Sequence, residues 1–481
     1  MASRTSAPSA LNSASPHQGR VVELEVTDLT LAGEGIGRHG GEVVFVPDLL
    51  PGERGRVRLH HRHRRHWSAQ LLERVSRSPH RRTPPCTVAS RCGGCTLQHL
   101  DDGRQREWKR SQVAQALERI GGLRVAVEPL LAPASGLGYR NKALVPLDRA
   151  GDGRLRAGFY QRGSHTIVDM DRCPVLDPRL DRLLPLLKQE LDDQGWPADV
   201  DRSHGGGLRH LGLRIGTRTG QVLVLLISSH DNLPELQQLA DRWRTRWPQI
   251  VGVLLNLQPE PSNAILGPET RTISGCSWLE EHFAGLSLRI GADTFFQVNT
   301  VQAERVAGLL EDALGPVPGP AAGPPSTLID AYCGIGTFAL PLARSPERCP
   351  GGVLGLEQSE RSVGQANANA LRNGLEGTAR FEACDVAERL PDLLAGAPPG
   401  SVDLVLDPPR RGLEAALCSA IAAHPPRRLA YISCNPATLA RDLQRISSGS
   451  DLQIRSVQPI DFFPQTTHVE CLALLTRADG P

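Results

Sequence analysis

"TLIDAYCGIGTFALPLA", residues 327–343, reads as a short apolar strand that ends near an acid, turns through two glycines and runs into a helix. A strand, a Gly-x-Gly turn and a helix in that order open an α/β sheet, because the glycines let the backbone pass close to a ligand at the strand's carboxyl end. The pattern repeats downstream. "GVLGLE", "ARFEACD", "VDLVLD", "RLAYISC", "IRSVQPI" and "ECLALLT" are strand-like runs separated by helical or turn-rich spans, so residues 291–481 predict a doubly wound sheet with helices on both faces. Ligands of such sheets sit beyond the carboxyl ends of the strands. Acids fall there: Asp330 ends the first strand, Glu357 the second, Asp385 the third and Asp407 the fourth.

Glu357 follows the glycines by about twenty residues, the spacing at which a carboxylate accepts hydrogen bonds from a ribose diol. A nicotinamide enzyme would share that acid. The turn, however, lacks the Gly-x-Gly-x-x-Gly run that seats a pyrophosphate, and a nucleoside cofactor without phosphates needs no such cradle. S-adenosylmethionine fits better.

The fourth strand runs into "DPPRRGL", residues 407–413. Asp407-Pro408-Pro409 resembles the loop by which amino methyltransferases hold a target amine, but Arg410 stands where those place an aromatic ring. Another source of reactivity is needed, and "YISCNPATLARDL", residues 431–443, offers a thiol where a strand hands over to a loop. Pyrimidine C5 is a poor nucleophile until something adds at C6, and a thiolate can add there and leave again. A base must then remove the C5 proton. Glu470, in "FFPQTTHVECLAL", meets Cys434 if the final strand runs antiparallel to "RLAYISC"; His468 is the rival base. Taken alone, a cysteine after a strand is a small buried hydrophobe.

The rest of the chain narrows the class. Its 481 residues divide into two to four domains. No apolar run reaches the eighteen residues of a membrane span; "VLVLLI", residues 222–227, has the length of a buried strand. Residues 1–20, rich in Ser, Ala and Pro, predict a disordered tail without a secretory core, hence a cytoplasmic protein in which eleven cysteines are not disulfides. Net charge is only +2, yet from Arg54 to Arg82 the sole acid is Glu73. A block of that kind faces an anion, most commonly a phosphate backbone. Residues 21–78 alternate apolar and polar between Gly and Pro-Gly turns, predicting a small antiparallel barrel of about five strands. Residues 79–290 form a central mixed α/β domain with a helix at "GRQREWKRSQVAQALERIGG" and strands at "YRNKALVPL", "VLVLLISS" and "VGVLLNLQ". It carries Cys86, Cys92, Cys95 and the distant Cys173, four thiolates for zinc or a [4Fe–4S] cluster, between which spacing does not choose. The remaining cysteines default to packing or surface roles. A radical enzyme would need a Cys-x-x-x-Cys-x-x-Cys run, and there is none.

Taken together, "FFQVN", "IDAYCGIGTF", "DPPRRGL", "SCNPATLARDL" and "FFPQTTHVE" resemble the RNA uracil-5-methyltransferase family, whose members include the rRNA enzymes often called RumA-type and the tRNA enzyme that makes ribothymidine. The resemblance spans residues 21 to about 475. It implies that Cys434 is the nucleophile and Glu470 the base. It further implies that Gln297, Tyr332, Thr337, Glu357, Asp385 and Asp407 line the S-adenosylmethionine pocket, Thr337 standing where some members have Asn. The barrel then resembles a TRAM domain, an RNA-binding appendage, and the four cysteines a [4Fe–4S] site of the RumA-like members. Within "GYRNKA", residues 138–143, Arg140 and Lys142 are candidates for phosphate contact and Asn141 for a splayed base. The implied activity of the chain, a monomer, is C5 methylation of a flipped uridine in 23S rRNA. A uridine of the tRNA T-loop, or a non-catalytic RNA-binding role in ribosome assembly, are the alternatives.

Overall fold

The computed structural model describes residues 19–201, 206–315, 326–345, 347 and 350–478. All but the last two residues of the expected tail lie outside the described residues, as does the interior of the Pro/Gly stretch 315–326. The chain divides into two compact units, Met1–Pro84 with Thr96–Arg104, and Pro85–Cys95 with Gln105–Pro481.

The first unit is a closed five-stranded barrel, β1 (Val21–Leu29), β2 (Gly35–His39), β3 (Glu42–Val46), β4 (Arg54–Arg62) and β5 (Trp67–Arg74), joined in the order β1-β2-β3-β5-β4. Strict alternation builds it: Val57 and Leu59 of β4 enter the core while Arg54, Arg56 and Arg58 face out. Not every arginine of the basic block is displayed. Glu53 is fully buried and takes Arg81 Nε at 2.6 Å and Nη2 at 2.7 Å, with the amides of Leu50 and Ser78. Burial alone would raise this carboxyl, but those donors hold it below its ordinary value.

The first helix of the second unit is α1 (Asp102–Arg119), of which the residues from Gln105 onward belong to it. A six-stranded sheet follows, built from β6 (Lys142–Arg149), β7 (Leu155–Ala157), β8 (Leu208–Ile215), β9 (Val222–Ser228), β10 (Ile250–Leu257) and β11 (Glu269–Gly275), in the order β11-β10-β9-β8-β6-β7. Helices α2 (Pro178–Asp193) and α3 (Leu236–Arg246) pack on it, and a hairpin of β12 (Trp278–Phe283) and β13 (Leu286–Gly291) leads to α4 (Thr300–Ala313).

All seven strands expected after residue 326 are present: β14 (Thr327–Ala331), β15 (Val353–Glu357), β16 (Ala379–Ala383), β17 (Val402–Leu406), β18 (Arg428–Ser433), β19 (Leu452–Ile460) and β20 (Glu470–Arg477). They form one sheet in the order β16-β15-β14-β17-β18-β20-β19. The first five are parallel, and β20 inserts antiparallel to both β18 and β19. Between them run α5 (Ala339–Ala343), α6 (Glu360–Arg372), α7 (Val386–Gly396), α8 (Ala415–Ala423) and α9 (Pro436–Ser448). Strand residues feed two cores by turns, as in a doubly wound fold: Leu328, Val405 and Ile432 join one cluster, Ile329, Leu404, Leu406 and Tyr431 the other. The chain leaves β14 towards β15 and β16 on one side and returns to β17 and β18 on the other. That reversal opens a crevice at the carboxyl ends of β14 and β17. No helix among the described residues is long and apolar enough to cross a membrane.

Candidate active site at the carboxyl edge of the sheet

The register of β18 on β20 decides the centre of the site. Ser433 pairs with Cys471. In an antiparallel pair the next residue of one strand lies across from the preceding residue of the other. Cys434, just beyond β18, is thereby set opposite Glu470, the first residue of β20. The two motifs that carry Cys434 and Arg410 interlock: Asn435 Nδ2 and Thr438 Oγ1 donate to the Arg410 carbonyl at 3.3 and 3.4 Å, and Arg441 Nη2 donates to the Arg411 carbonyl at 2.9 Å. The buried Asp442 accepts from the Leu413 amide and the Tyr431 hydroxyl, both at 2.8 Å. Asn435 also caps α9, accepting from the Ala437 amide at 3.1 Å, with Pro436 in the first turn.

Charge in this corner is strongly perturbed. Burial, with Asp407 adding repulsion and Arg410 opposing both, pushes Glu470 up to about 8. Burial alone pushes Asp407 up to about 7. The half-buried Cys434 thiol is raised by burial and then by Glu470, while Arg410 draws it back. Arg410, read in the sequence only as the missing aromatic, thus lies within electrostatic reach of both the thiol and the acid. His468 is held below its ordinary value by partial loss of water, then by Arg410, Lys109 and Arg140, and it packs edge-on against Phe463.

The β14 turn is organised by the second strand. Tyr332 is left-handed (φ 69°), and the amides of Tyr332 and Cys333 both donate to the Leu356 carbonyl, at 2.8 and 3.0 Å. Glu357 accepts from the Gly334 amide at 3.2 Å and the Ser359 amide at 2.9 Å, tying the turn to the end of β15. Gly334 (φ 56°) has open space where a Cβ would stand; at Gly336 a Cβ would meet Leu340 at 2.9 Å. The first glycine therefore borders the crevice and the second serves packing. Thr337 is buried behind the turn, and Asp385 caps α7 by accepting from the Ala387 amide at 2.8 Å. Tyr332, Thr337, Glu357, Asp385 and Asp407 thus follow adjacent strands along one edge. Gln297 lies apart in sequence, between β13 and α4, where its carbonyl accepts from Asn141 Nδ2 at 2.9 Å. Gln365 of α6, the helix after Glu357, holds the nearby Gly291 amide and Thr294 hydroxyl. Asp330 is 0% exposed; burial, then repulsion from Asp407 and Glu357, drive it well above its ordinary value, with the Ala339 amide opposing them. Its place at a strand end was legible, its full burial was not.

The loop from Asp461 to His468 that leads into Glu470 is clamped. Lys109 Nζ, fully buried, donates to Asp461 Oδ1 at 2.7 Å and the Phe463 carbonyl at 3.0 Å. Gln105 and Gln465 exchange two hydrogen bonds at 3.1 Å, and the Tyr139 hydroxyl donates to the Pro464 carbonyl at 3.2 Å. Asn141 corrects an expectation: its side-chain nitrogen is committed to the Gln297 carbonyl and the Thr300 hydroxyl, so that amide ties segments together instead of facing a base. Lys142 is half-buried and lowered to about 7 by burial and by Arg214, which blunts it as a phosphate contact.

Cys92 and Cys173 are buried and Cys86 and Cys95 half-buried. Burial and then the neighbouring thiols raise Cys173 to about 12; Cys92, raised by burial and by Cys86, takes the Gly94 amide at 3.4 Å. The four thus share one electrostatic neighbourhood. Among the described residues, no three or more His, Cys, Asp or Glu side chains are grouped as ligands of one metal ion.

Residues 288–478 match the tRNA (uracil-5-)-methyltransferase family and residues 17–72 the TRAM domain. An uncharacterised RNA methyltransferase of Parasynechococcus marenigrum is 49% identical over 98% of both chains, and one of Listeria innocua 35% identical over 95% of this chain and 97% of its own. The crystal structure of the tRNA (uracil-54, C5)-methyltransferase of Pyrococcus abyssi with S-adenosyl-L-homocysteine superposes with a TM-score of 0.73 at 26% identity, over 95% of this chain and all of that one. Strand-edge acids, a glycine turn without a phosphate cradle and these likenesses agree: the chain belongs to the RNA uracil-5-methyltransferase family, enzymes that take their methyl group from S-adenosylmethionine, and it carries a TRAM domain.

Proposed function

We propose that the chain methylates C5 of a uridine in 23S rRNA, giving 5-methyluridine, through a covalent bond between Cys434 and C6 of the base. The observation that carries the chemistry is the β18–β20 register, which sets a half-buried thiol opposite a buried carboxyl. The Cys434 thiolate adds to C6, and the electrons of the C5–C6 double bond move towards O4 as an enolate. S-adenosylmethionine, when bound, supplies the methyl cation that C5 then accepts. Glu470 takes the C5 proton; the electron pair of that C–H bond re-forms the double bond as the C6–S bond breaks and the thiolate leaves. A carboxyl raised to about 8 suits this work, since a base is most effective with a pKa near the operating pH. Arg410 offsets the cost of ionising a thiol in a half-buried corner. Gln297, Tyr332, Thr337, Glu357, Asp385 and Asp407 would hold the cofactor, Glu357 at its ribose.

Cys86, Cys92, Cys95 and Cys173 would hold a [4Fe–4S] cluster. Their shared field and the Gly94 amide on the Cys92 sulfur support four thiolates around one group, and a four-iron cube asks for a wider set of sulfurs than a single ion does. The methyl transfer needs no electron, so the cluster's part is to shape the RNA-facing structure. The resemblance of the four-cysteine pattern to the RumA-type members carries the choice of rRNA; the barrel does not discriminate. The second reading, a tRNA T-loop uridine, is favoured by the likeness to the Pyrococcus abyssi tRNA enzyme. Incubation with S-adenosylmethionine and separate pools of unmodified 23S rRNA and tRNA, followed by mass mapping of 5-methyluridine, tests both. A new methyl in rRNA that vanishes with Cys434→Ala is expected. Methyl in tRNA alone would overturn the substrate, and methyl in neither would leave the RNA-binding, ribosome-assembly role.

A further inference from the structure

The turn between β4 and β5 carries a ladder of rings for which the methyl-transfer site has no use. The chain there reads His60-His61-Arg62-His63-Arg64-Arg65-His66-Trp67. The His63 amide donates to the His66 carbonyl at 2.8 Å, closing a tight turn with Arg64 and Arg65 at its apex. This closure stacks His63 on His66, with ring centres 4.3 Å apart and planes 17° from parallel. His66 stacks in turn on Phe45 of β3, at 4.2 Å and 28°, and His61 of β4 meets His63 edge-on at 4.4 Å. Four rings from three segments of the barrel form one aromatic run that is buried at neither end: His61 and His63 are exposed, His66 and Phe45 half-buried. The root is fixed. Trp67 Nε1 donates to Glu42 at 2.7 Å, and the same carboxylate pairs with Arg62. Arg64 and Arg65 have no carboxylate partner among the described residues.

We propose that the Phe45–His66–His63–His61 ladder is a stacking surface for unpaired RNA bases, and that its hold on RNA strengthens as the pH falls. Ring faces beside unpaired cations are what a sequence-tolerant single-strand surface requires: bases stack on the rings while phosphates pass the arginines. A basic turn that served solubility alone would gain nothing from stacking its rings. Histidine adds proton dependence to this. His63 is held below its ordinary value by its surroundings, first by loss of water and then by His66, His61 and His60, with Glu34 opposing. The other charged groups around the ladder are Arg62 with Glu42, and Arg64 and Arg65 at the apex. A phosphate brought to this cluster favours the charged rings, so binding takes up protons and affinity rises as the pH drops. This rests on the reading of the chain as an enzyme of RNA and names the form of RNA its barrel holds.

The test is fluorescence anisotropy with the full chain, a labelled oligouridylate and an abasic strand of equal length, at about pH 6 and about pH 8 and constant salt. The oligouridylate is expected to bind more tightly than the abasic strand, and more tightly at the lower pH. At about pH 8, H61A/H63A/H66A is expected to weaken oligouridylate binding by about tenfold or more while changing the abasic strand little. H61F/H63F/H66F keeps the rings and is expected to retain the affinity found at the higher pH but lose its rise at the lower one. Circular dichroism confirms that both variants stay folded. Equal binding of the two strands, or an alanine variant that binds like the parent, would overturn the proposal. The oligouridylate is read by binding alone, so failure of the methylation assay leaves this result standing, and failure here leaves the methylation reading intact.

Discussion

The carboxyl edge of the seven-stranded sheet and the outer face of the barrel are both charged regions, and they handle charge in opposite ways. The edge gathers acids and withdraws them from water: Asp330 is 0% and Glu470 7% exposed, and both are driven towards the neutral form. The barrel gathers cations and displays them, Arg54, Arg56 and Arg58 at every second position of β4 and Arg64 and Arg65 at its turn. Buried charge interacts through little water and is expressed as shifted pKa values; exposed charge is screened and is expressed as salt dependence. The first region should therefore answer to pH through its carboxyls and the second to ionic strength through its arginines, the histidine ladder adding a pH response of its own.

The largest effect expected is at the edge. Cys434→Ala should lower methyl transfer by on the order of a thousandfold or more, with oligouridylate binding by the barrel unchanged; retained turnover would remove the covalent step. Glu470→Gln should slow turnover by about a hundredfold or more and accumulate a protein–RNA adduct that survives denaturing electrophoresis, because the thiol adds but its release stalls. The same variant sharpens the pH argument. A carboxyl raised from 4.5 to about 8 binds its proton more tightly in the folded state, so its contribution to stability is full below about 4.5 and is lost as the pH rises through about 8. Glu470→Gln should thus gain stability relative to the parent as the pH rises from about 4.5 to about 8, and no further above it, seen in thermal unfolding.

Removing Lys109 breaks the buried side of the comparison by another route. Lys109→Met strands Asp461 in the interior and should cost about 3–5 kcal/mol in denaturant unfolding, much of it recovered when Asp461→Leu is added. Arg410→Gln should move the rising limb of the pH profile of kcat/KM to higher pH, since the thiolate loses the cation that opposes its burial. Least of all, removing both Arg64 and Arg65 should flatten the salt dependence of single-strand binding by about 1.4 in logarithmic slope, while variants at the edge leave that slope alone.

The sequence displayed the edge better than its partners. Seven strands and their terminal acids were readable because each strand is a short apolar run with a turn and a helix behind it, all local signals. That β20 runs antiparallel was only a condition, since pairing joins distant segments. β8 escaped notice because "LRHLGLRI" carries Arg209, His210 and Arg214, polar residues that look exposed; the fold buries all three, and Arg214 donates to the carbonyls of Gly291 and Thr294. Arg410 was visible after its two prolines, but its meeting with Cys434 depends on Asn435 and Thr438 gripping its backbone. The Lys109–Asp461 contact spans 352 positions, and no local pattern announces it. Asn141 was misread for the converse reason: its motif suggested an available amide, and two partners from beyond position 296 occupy it.

The insertion of β20 between β18 and β19 bears on how the enzyme is made. Chains fold as they leave the ribosome, their amino-terminal parts first. Cys434 and the whole of β19 emerge before Glu470 does; β18 already has β17 beside it, but its other edge and β19 have no strand partner until β20 arrives to fill the gap. On the proposed mechanism, a growing chain holds the seat of the thiol before it holds the carboxyl that would complete the cycle. The proposed cycle closes only once β20 has taken its place between its two neighbours.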